Sequence, residues 1–221
     1  MLLEKLIKSI PNNYRNIKVK NLALDSRKVK KNYLFFALPG TKTNGKKYIL
    51  EAEKRGACAA IFEGKLNLSN IGIPAIKVKN IRKEIANACR NFYAKKPKNI
   101  IAVTGTNGKS SVVQFYYQIL SNNKIPVASI GTLGVYSKKI KKTNLTSPDI
   151  ITLHTELSNL KRKGIDNVII EASSHGLKQG RLGGLKIKTG IFTNFSQDHL
   201  DYHKSMKEYL NSKMILFRNI I

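Results

Sequence analysis

The stretch AVTGTNGKSS (residues 102–111) lies between the apolar run NIIAV (99–103) and a segment whose apolar residues have the spacing of a helix. A glycine-rich turn between a strand and a helix directs backbone N–H groups at an anion, and the dipole of the helix adds to the attraction. This order of strand, turn and helix therefore predicts a phosphate-binding loop.

The residue types in this loop suit a nucleoside triphosphate. Gly105 and Gly108 permit the tight turn, because glycine accepts backbone angles that other residues avoid. Lys109 can reach the β- and γ-phosphates, and the Ser110 hydroxyl can bind Mg²⁺. The loop is shorter than the common G-x-x-x-x-G-K-S form, since Val103 stands where that form has its first glycine. A match of this length also occurs in chance turns, so the flanking elements matter.

The segments after the loop alternate between helices and apolar strands. Helices are predicted over residues 110–123 and 149–164, and strands in IPVASIGT, NVIIEASS and TGIFTNF. This alternation indicates a parallel sheet with helices on both faces. We therefore predict an α/β domain of the P-loop type over residues 98–221, incomplete at its carboxyl end because more sheet is expected there.

A smaller α/β unit is predicted before the loop. The strand-like stretches YLFFAL, CAAIFE and IPAIKV alternate with two helical stretches. An amphipathic helix is predicted at the start of the chain from the spacing of Leu2, Leu3, Leu6 and Ile10. The stretch KKPKN breaks the pattern, because proline ends a helix. We place a domain boundary there, with the first domain at 1–97.

The composition limits the class of protein. The formal charge is +27, but the 40 lysines and arginines are spread along the chain, whereas a nucleic-acid site gathers them in one stripe. We expect no specific nucleic-acid partner. Cys58 and Cys89 are too few for a disulfide framework, and Glu4, Lys5 and Lys8 interrupt any signal-peptide core. No run is long enough to span a membrane, so we expect a cytoplasmic protein without membrane insertion.

The loop also resembles that of a known family. VTGTNGKSS is similar to the ATP loop of the Mur ligases and of the related folylpolyglutamate synthetases, in which T-G-T-N-G-K-[ST] replaces the longer form. The resemblance implies an ATP-driven amide ligase. It assigns ATP binding to Gly105, Thr106, Asn107, Gly108, Lys109, Ser110 and Ser111.

Three further stretches resemble the MurE type within this family. LALDSRKVKKNYLFFALPGTKTNGKKYI (22–49) is similar to its UDP-substrate segment, LTSPD to its T-T-P loop, and NVIIEASSHGLKQGRL (167–182) to its E-V-S-S-H-G-L signature. Without the resemblance, LDSR is an ordinary turn and His175 an ordinary loop histidine. The residues that the resemblance places on the UDP-muramoyl-dipeptide are Leu24, Ser26, Thr41, Lys42, Thr43, Thr146, Ser147, Ser173, Gln179 and Arg181.

The most specific stretch is TNFSQDHLDYHKSMKEYLNSKMILF (193–217), which is similar to the family pattern T-N-L-S-R-D-H-L-D-Y-H over its whole length. The resemblance makes His199 a ligand of a second Mg²⁺ and Lys213 a carbamylated lysine. CO₂ turns a neutral amine into an anion that can bind a metal ion. A free lysine, with a pKa of about 10.4, is a cation and would repel the metal ion. Glu171 ends a buried strand, where its carboxylate suits Mg²⁺.

The implied cofactors are ATP, two Mg²⁺ ions and the carbamate on Lys213. The implied metal ligands are Ser110, Glu171, His199 and Lys213. The implied catalytic residues are Lys109, His199 and Lys213. The implied reaction joins an amino acid to UDP-N-acetylmuramoyl-L-alanyl-D-glutamate in peptidoglycan synthesis, through an acyl phosphate. The sequence does not choose between meso-diaminopimelate and L-lysine. We expect a monomer. Because the third domain of the family is not in the sequence, we also expect these 221 residues to be inactive alone.

Several alternatives stay open at this point. Another Mur ligase or a folylpolyglutamate synthetase-like ligase would share the loop, and a non-catalytic copy would share the fold. From a different class, the charge would suit a basic nucleic-acid-binding protein, whose affinity would fall steeply with salt. A zinc site could be assembled from the histidines and aspartates of the last stretch, which are Asp198, His199, Asp201 and His203.

Overall fold

A computed structural model of the protein describes residues 1–40, 43–67, 69–137 and 148–221. The chain forms two compact units, Met1–Phe92 and Tyr93–Ile221. The division falls a few residues before the boundary that the sequence predicted after residue 97. Each unit contains a sheet with parallel strands and flanking helices, so the predicted α/β class is confirmed.

The first unit has a four-stranded parallel sheet with the strand order β1-β2-β3-β4. Its core is built from alanines and large apolar residues, with Phe35 and Phe62 of the sheet against Ile49 of α1. This small sheet carries the loops in which substrate contacts were predicted. The elements are β1 (Asn21–Ala23), β2 (Tyr33–Phe36), α1 (Ile49–Lys54), β3 (Ala57–Glu63), β4 (Ala75–Val78) and α2 (Ile81–Phe92).

The predicted amphipathic helix at the start of the chain is wrong. Only a 3₁₀ turn forms there, at Leu3–Lys5. The backbone pairs with the following segment instead: the N–H of Leu3 donates to the carbonyl of Ile17 at 2.9 Å, and that of Val19 to the carbonyl of Met1 at 2.8 Å. Leu3 is nevertheless fully buried, so the apolar residues of this segment indicated burial and not a helical conformation.

The second unit has a five-stranded sheet with the order β7-β6-β8-β5-β9. All neighbours are parallel except β6 and β7. A π-helical turn, Leu216–Ile220, follows the last α-helix. The elements are β5 (Asn99–Thr104), α3 (Lys109–Asn122), β6 (Val127–Gly131), β7 (Gly134–Tyr136), α4 (Ile150–Arg162), β8 (Asn167–Glu171), α5 (Ser174–Lys178), β9 (Thr189–Phe192) and α6 (Met206–Ile215).

Helices cover both faces of this sheet. On one face α3 packs through Val113 against Val103 and Ile169 of the central strands. On the other face a larger cluster joins the sheet to α4, α5 and the end of the chain, with Leu153 and Leu157 fully buried. Strands buried on both faces read as continuous apolar runs, which is why the sequence predicted them.

The sequence did not predict β7. This three-residue strand pairs antiparallel with β6 after a two-residue turn, Thr132 and Leu133. Gly134 follows with a φ of 110°, a conformation that glycine adopts without strain. In the described part of the chain, we find no helix with the length and apolar character that a membrane span requires.

Candidate functional site

A cleft of about 390 Å³ opens at the carboxyl ends of the parallel strands in the second unit. Ligands of open α/β sheets bind at this edge, because loops and helix N-termini converge there. Most of the lining side chains are polar, and they come from four separate parts of the sequence. They are Gly105, Thr106, Asn107, Gly108, Lys109, Ser110, Ser111, Thr132, Glu171, Ser173, Ser174, His199, Tyr209 and Lys213.

The phosphate loop (residues 105–111) joins β5 to α3, and its two glycines are needed for different reasons. Gly105 has a φ of 145°, and a Cβ there would lie 1.9 Å from the Thr193 hydroxyl. Gly108 has a φ of 80° and is the N-cap of α3. A left-handed backbone before a helix turns N–H groups towards an anion. The loop is therefore shaped as the sequence predicted.

The segment after β9 holds this loop in place. The Thr193 hydroxyl donates to the Asn107 carbonyl at 2.6 Å, and the Asn107 N–H donates to the side-chain oxygen of Asn194 at 2.9 Å. The backbone N–H of Thr106 donates to the Asn194 carbonyl at 3.0 Å. No role for Thr193 or Asn194 was predicted from the sequence. Their position directly after a parallel strand was the signal that could have identified them.

The first lysine of the cleft, Lys109, begins α3. Its Nζ donates to the carbonyls of Gly105 at 3.0 Å and Thr106 at 2.7 Å. Burial lowers the pKa of Lys109, and the charges of Glu171 and Asp198 act in the opposite direction. The side chain is thus folded back on the loop that a triphosphate would enter.

The second lysine, Lys213, lies on α6 and is only 1% exposed. Its Nζ donates to the carbonyl of Gly105 at 2.7 Å and lies 4.1 Å from the centre of the Tyr209 ring. Neither of these neighbours carries a full negative charge. Burial, followed by the nearby charge of Lys109, lowers the pKa of Lys213 to about 8. At pH 7 about a tenth of this amine is therefore neutral, far more than of a lysine with an unshifted pKa.

Glu171 ends β8, next to the strand that leads into the phosphate loop. It lies opposite Val103 in the parallel register and is 2% exposed. Its two carboxylate oxygens accept hydrogen bonds from Thr132, one from the backbone N–H at 3.1 Å and one from the hydroxyl at 2.9 Å. The predicted metal-binding carboxylate therefore faces the same cleft as Ser110.

His199 has an unusual backbone conformation, with a φ of 52°. Residues other than glycine rarely adopt such angles, and when they do the position is often functional. Its Nε2 lies 3.5 Å from a carboxylate oxygen of Asp198, and its ring meets the His175 ring edge-on at 5.0 Å. Burial and the charge of His199 lower the pKa of His175. The predicted ligand His199 thus lines the cleft.

His203 does not support the zinc alternative. It is fully buried, and its two ring nitrogens lie 3.0 Å from the Ser174 hydroxyl and 3.3 Å from the Ser212 hydroxyl. The Ser212 hydroxyl donates its single proton to the Glu208 carbonyl at 2.9 Å. It must therefore accept the hydrogen bond from His203, whose Nδ1 carries the proton. In the described residues, no three histidine, cysteine or acidic side chains are grouped to hold a metal by themselves.

Three of the substrate residues predicted in the second unit, Ser173, Gln179 and Arg181, lie at or just beyond the ends of α5. Ser173 lines the cleft, and its hydroxyl caps α5 by accepting from the Gly176 N–H at 3.1 Å. Gln179 accepts two hydrogen bonds from the Arg181 guanidinium, at 2.7 and 3.1 Å, and donates to the Tyr202 hydroxyl at 3.3 Å. These two side chains form one polar group at the end of α5.

In the first unit, the Ser26 hydroxyl donates to Glu51 at 2.8 Å. Leu24 is partly buried and Thr43 is exposed in the loop after Gly40. Both lie on loops that leave the carboxyl ends of parallel strands β1 and β2. Four predicted substrate residues fall outside the described residues, and they are Thr41, Lys42, Thr146 and Ser147.

A larger cleft, of about 880 Å³, lies beside the carboxyl-terminal ends of α3 and α4. Its wall is mostly apolar and includes Tyr117, Val135 and Ile165. No described residue of the phosphate loop reaches it. The smaller cleft is the candidate site, because convergent polar groups rather than volume define a site for a triphosphate.

The chain is similar in sequence to known proteins. The family profile described as Mur ligase middle domain matches residues 103–221, and the profile described as Mur ligase family, catalytic domain, matches residues 18–103. The chain is similar to the UDP-N-acetylmuramoyl-L-alanyl-D-glutamate–2,6-diaminopimelate ligase of Brucella melitensis biotype 1, with 41% identity over 96% of this chain and 43% of that protein. The ligase of the same name from Rickettsia bellii (strain RML369-C) is 44% identical over 90% of this chain and 42% of its own length.

Solved structures agree with this fold. A structure of a UDP-N-acetylmuramoyl-L-alanyl-D-glutamate–2,6-diaminopimelate ligase superposes with a TM-score of 0.86 at 30% identity, covering 99% of this chain and 45% of that one. A MurF ligase from Thermotoga maritima in complex with ADP has a TM-score of 0.57 at 22% identity, covering 90% of this chain and 43% of that one, and supports the fold alone. The chain spans less than half the length of these relatives.

Proposed function

Because this chain belongs to the Mur ligase family, we propose that it supplies the ATP site and part of the acceptor site of a ligase that joins an amino acid to UDP-N-acetylmuramoyl-L-alanyl-D-glutamate. The single observation that carries the proposal is the convergence of the phosphate loop, Glu171, His199 and Lys213 on one polar cleft. Each of these parts suits one demand of acyl-phosphate chemistry.

The phosphate loop binds the triphosphate of ATP in this proposal. The N–H groups at the start of α3 and the Lys109 ammonium face the same cleft, so they attract an anion together. To reach the terminal phosphates, Lys109 must give up its bonds to the carbonyls of Gly105 and Thr106. An ammonium–phosphate bond joins two opposite charges, whereas these carbonyls are neutral, so the exchange is favourable.

The residues of the cleft fit Mg²⁺ that arrives with a nucleotide. Ser110 and Glu171 offer oxygen atoms, which this hard cation prefers, and phosphate oxygens would complete the coordination. The lack of a protein-only metal cluster in the described residues agrees with this requirement. When bound, Mg²⁺ would neutralise charge on the phosphate groups. Ser110 and Glu171 would hold one ion, and His199 and modified Lys213 a second.

Lys213 is suited to become a carbamate. Its neutral amine attacks the carbon of CO₂, an N–C bond forms, one C=O π pair moves to oxygen, and a proton leaves the nitrogen for solvent. The product carries a negative charge in place of a positive one. Burial has already lowered the pKa of Lys213 to about 8, so the reactive neutral form is accessible. The remaining N–H can keep the bond to the Gly105 carbonyl.

The reaction brings two anions together. The free carboxylate of the muramoyl-dipeptide attacks the γ-phosphorus of ATP, ADP leaves, and the amine of the incoming amino acid then displaces phosphate from the acyl phosphate. Charge neutralisation and alignment are the main catalytic tasks in such a transfer. Lys109 supplies fixed positive charge, and Ser173 and Arg181 near α5 are proposed to orient the acceptor.

The first unit (residues 1–92) is proposed to hold the UDP end of the acceptor, through Leu24, Ser26 and Thr43 together with Thr41 and Lys42. The second unit (residues 93–221) is proposed to hold the ATP. We further propose diaminopimelate as the added amino acid, because the curated relatives compared above carry that substrate in their names. An L-lysine preference would contradict this choice without affecting the ATP site.

Two measurements test the proposal. Calorimetry on the 221-residue chain should give Mg²⁺-dependent ATP binding and separate binding of UDP-N-acetylmuramoyl-L-alanyl-D-glutamate. Joining the chain to the carboxyl-terminal remainder of the Brucella melitensis ligase should give phosphate release that requires acceptor and diaminopimelate. Lys213→Ala in that chimera should lose nearly all turnover, with no rescue by bicarbonate. A chain that binds neither ATP nor the acceptor would contradict the function.

A further inference from the structure

The side chain of Glu171 is held in an unusual way. At the end of β8 it crosses over Gly131, the last residue of the neighbouring strand β6. A Cβ built on Gly131 would lie 2.2 Å from the carboxylate oxygen Oε1 and 2.7 Å from Cγ. The absence of a side chain at residue 131 therefore creates the path that the Glu171 side chain follows.

Beyond Gly131 the carboxylate meets the next residue of the same strand end, Thr132. The backbone N–H of Thr132 donates to Oε1 at 3.1 Å, and its hydroxyl donates to Oε2 at 2.9 Å. Two bonds from one residue, one to each oxygen, fix both the place of the carboxyl group and the rotation of its plane. Threonine suits this role because its β-branched side chain has few rotamers.

We propose that Thr132 is the positioning residue of the metal-binding carboxylate Glu171. The inference rests on the proposed function, since it assumes that this cleft binds a nucleotide with a divalent cation. Each carboxylate oxygen has two lone pairs, so accepting one hydrogen bond from Thr132 is compatible with metal binding. Gly131 is also required, because the space left by its missing side chain lets the carboxylate of Glu171 reach Thr132.

The energetic argument concerns orientation. A glutamate has three rotatable bonds, and an unrestrained carboxylate must lose that freedom when the metal binds. Thr132 imposes the restriction beforehand, while Glu171 is 2% exposed at the wall of the cleft. Residues that orient metal ligands in this way typically contribute about 10- to 100-fold in metal affinity. No role for Thr132 was predicted from the sequence.

Metal and nucleotide binding to the 221-residue chain test the proposal. Mn²⁺ serves as the spectroscopic probe, and its affinity is measured by electron paramagnetic resonance with a non-hydrolysable ATP analogue present. Thr132→Val removes the hydroxyl and keeps the shape of the side chain. We expect about 10-fold weaker Mn²⁺ binding. Affinity for the analogue in EDTA should be unchanged, because the phosphate loop is untouched.

Three further variants sharpen the result. Thr132→Ser keeps both bonds and should bind Mn²⁺ as the unchanged chain does. Gly131→Ala leaves Thr132 in place but obstructs the path of the carboxylate, so it should reproduce the loss. Thr155→Val removes a threonine hydroxyl that bonds only within α4, to the Ile151 carbonyl at 2.8 Å, and should change neither affinity.

The outcomes separate the possible failures. Unchanged Mn²⁺ affinity in both Thr132→Val and Gly131→Ala would overturn the positioning role and leave the proposed function intact. An equal loss of analogue affinity in EDTA would also overturn it, since that result indicates a general structural role. Failure of the unchanged chain to bind Mn²⁺ with the analogue would overturn both the inference and the proposed function.

Discussion

The cleft has two walls, and each presents a lysine to the same carbonyl. The α3 wall carries Lys109 and the α6 wall carries Lys213, and both Nζ atoms donate to Gly105, at 3.0 and 2.7 Å. Lys109 also donates a hydrogen bond to the Thr106 carbonyl, and the negative charge of Glu171 stabilises its ammonium form. Lys213 is instead almost completely buried beside the ring of Tyr209. We propose that Lys109 acts as a cation on one wall and that Lys213 acts as a nucleophile for CO₂ on the other. Burial lowers the pKa of both lysines, but the charges of Glu171 and Asp198 oppose the shift at Lys109, whereas the charge of Lys109 adds to it at Lys213.

Gly105 is where the two walls meet, and its substitution should have the largest effect. Gly105→Ala places a Cβ 1.9 Å from the Thr193 hydroxyl at a φ of 145°. Overpacking and backbone strain together should lower the free energy of unfolding by about 3–4 kcal/mol, as measured by urea denaturation. Gly164→Ala is the matched control: it has a φ of 79° and no atoms nearby, so about 1 kcal/mol is expected. Equal losses in both variants would contradict the role of the Thr193 contact.

The buried charge on the α6 wall should appear in the pH dependence of stability. The pKa of Lys213 is about 8 in the folded chain and about 10.5 unfolded, so between these values the unfolded state binds more protons. Stability due to this residue is therefore lowest below pH 8 and rises towards pH 10.5, by up to about 3 kcal/mol.

Lys213→Met lacks this titration and provides the comparison. In CO₂-free buffer, the difference in unfolding free energy between Lys213→Met and the unchanged chain should shrink from pH 7 to pH 10. The subtraction removes the titration of the other lysines. A difference that stays constant over this range would mean that Lys213 is not desolvated as described.

On the α3 wall, Lys109→Ala should weaken ATP binding by about 30-fold, because a charge-assisted hydrogen bond contributes about 2 kcal/mol. Calorimetry with ATP and Mg²⁺ measures the change. Lys207→Ala, an exposed lysine of α6, is the control for the general attraction of a chain with a charge of +27. If the two variants lost the same affinity, the loop lysine would be acting only through the net charge.

The smallest effect is expected from Tyr209→Phe. This change keeps the ring beside Lys213 but removes the hydroxyl that donates to the Thr106 side chain at 3.3 Å. Loss of one such bond should cost about 1 kcal/mol of unfolding free energy. Tyr209→Leu, which also removes the ring, should cost more. A larger loss for phenylalanine than for leucine would show that the ring is unimportant to the α6 wall.

Some features of this site depend on local sequence motifs and others on contacts between distant residues, and mainly the first kind could be predicted from the sequence. The phosphate loop was predictable because it is local: strand, glycines and helix follow one another within a few residues. The convergence of Glu171 on that loop was predictable because β8 and β5 are parallel neighbours with their carboxyl ends at one edge.

Other features depend on contacts that no local pattern encodes. Thr132 and Asn194 act through bonds to residues far along the chain, to Glu171 and to Asn107. The pKa of Lys213 depends on how deeply α6 buries it, and the spacing of apolar residues does not report depth. The helix predicted at the start of the chain was wrong for the same reason, because the backbone conformation there depends on a hydrogen bond to the distant Ile17.

The most direct test of the central claim is nuclear magnetic resonance of the 221-residue chain in ¹³C-labelled bicarbonate, with ATP and Mg²⁺ present. A carbamate carbon signal should appear, and Lys213→Arg, whose guanidinium does not react with CO₂, should remove it while Lys207→Arg retains it. The absence of a carbamate signal from the unchanged chain, or its survival in Lys213→Arg, would contradict the account.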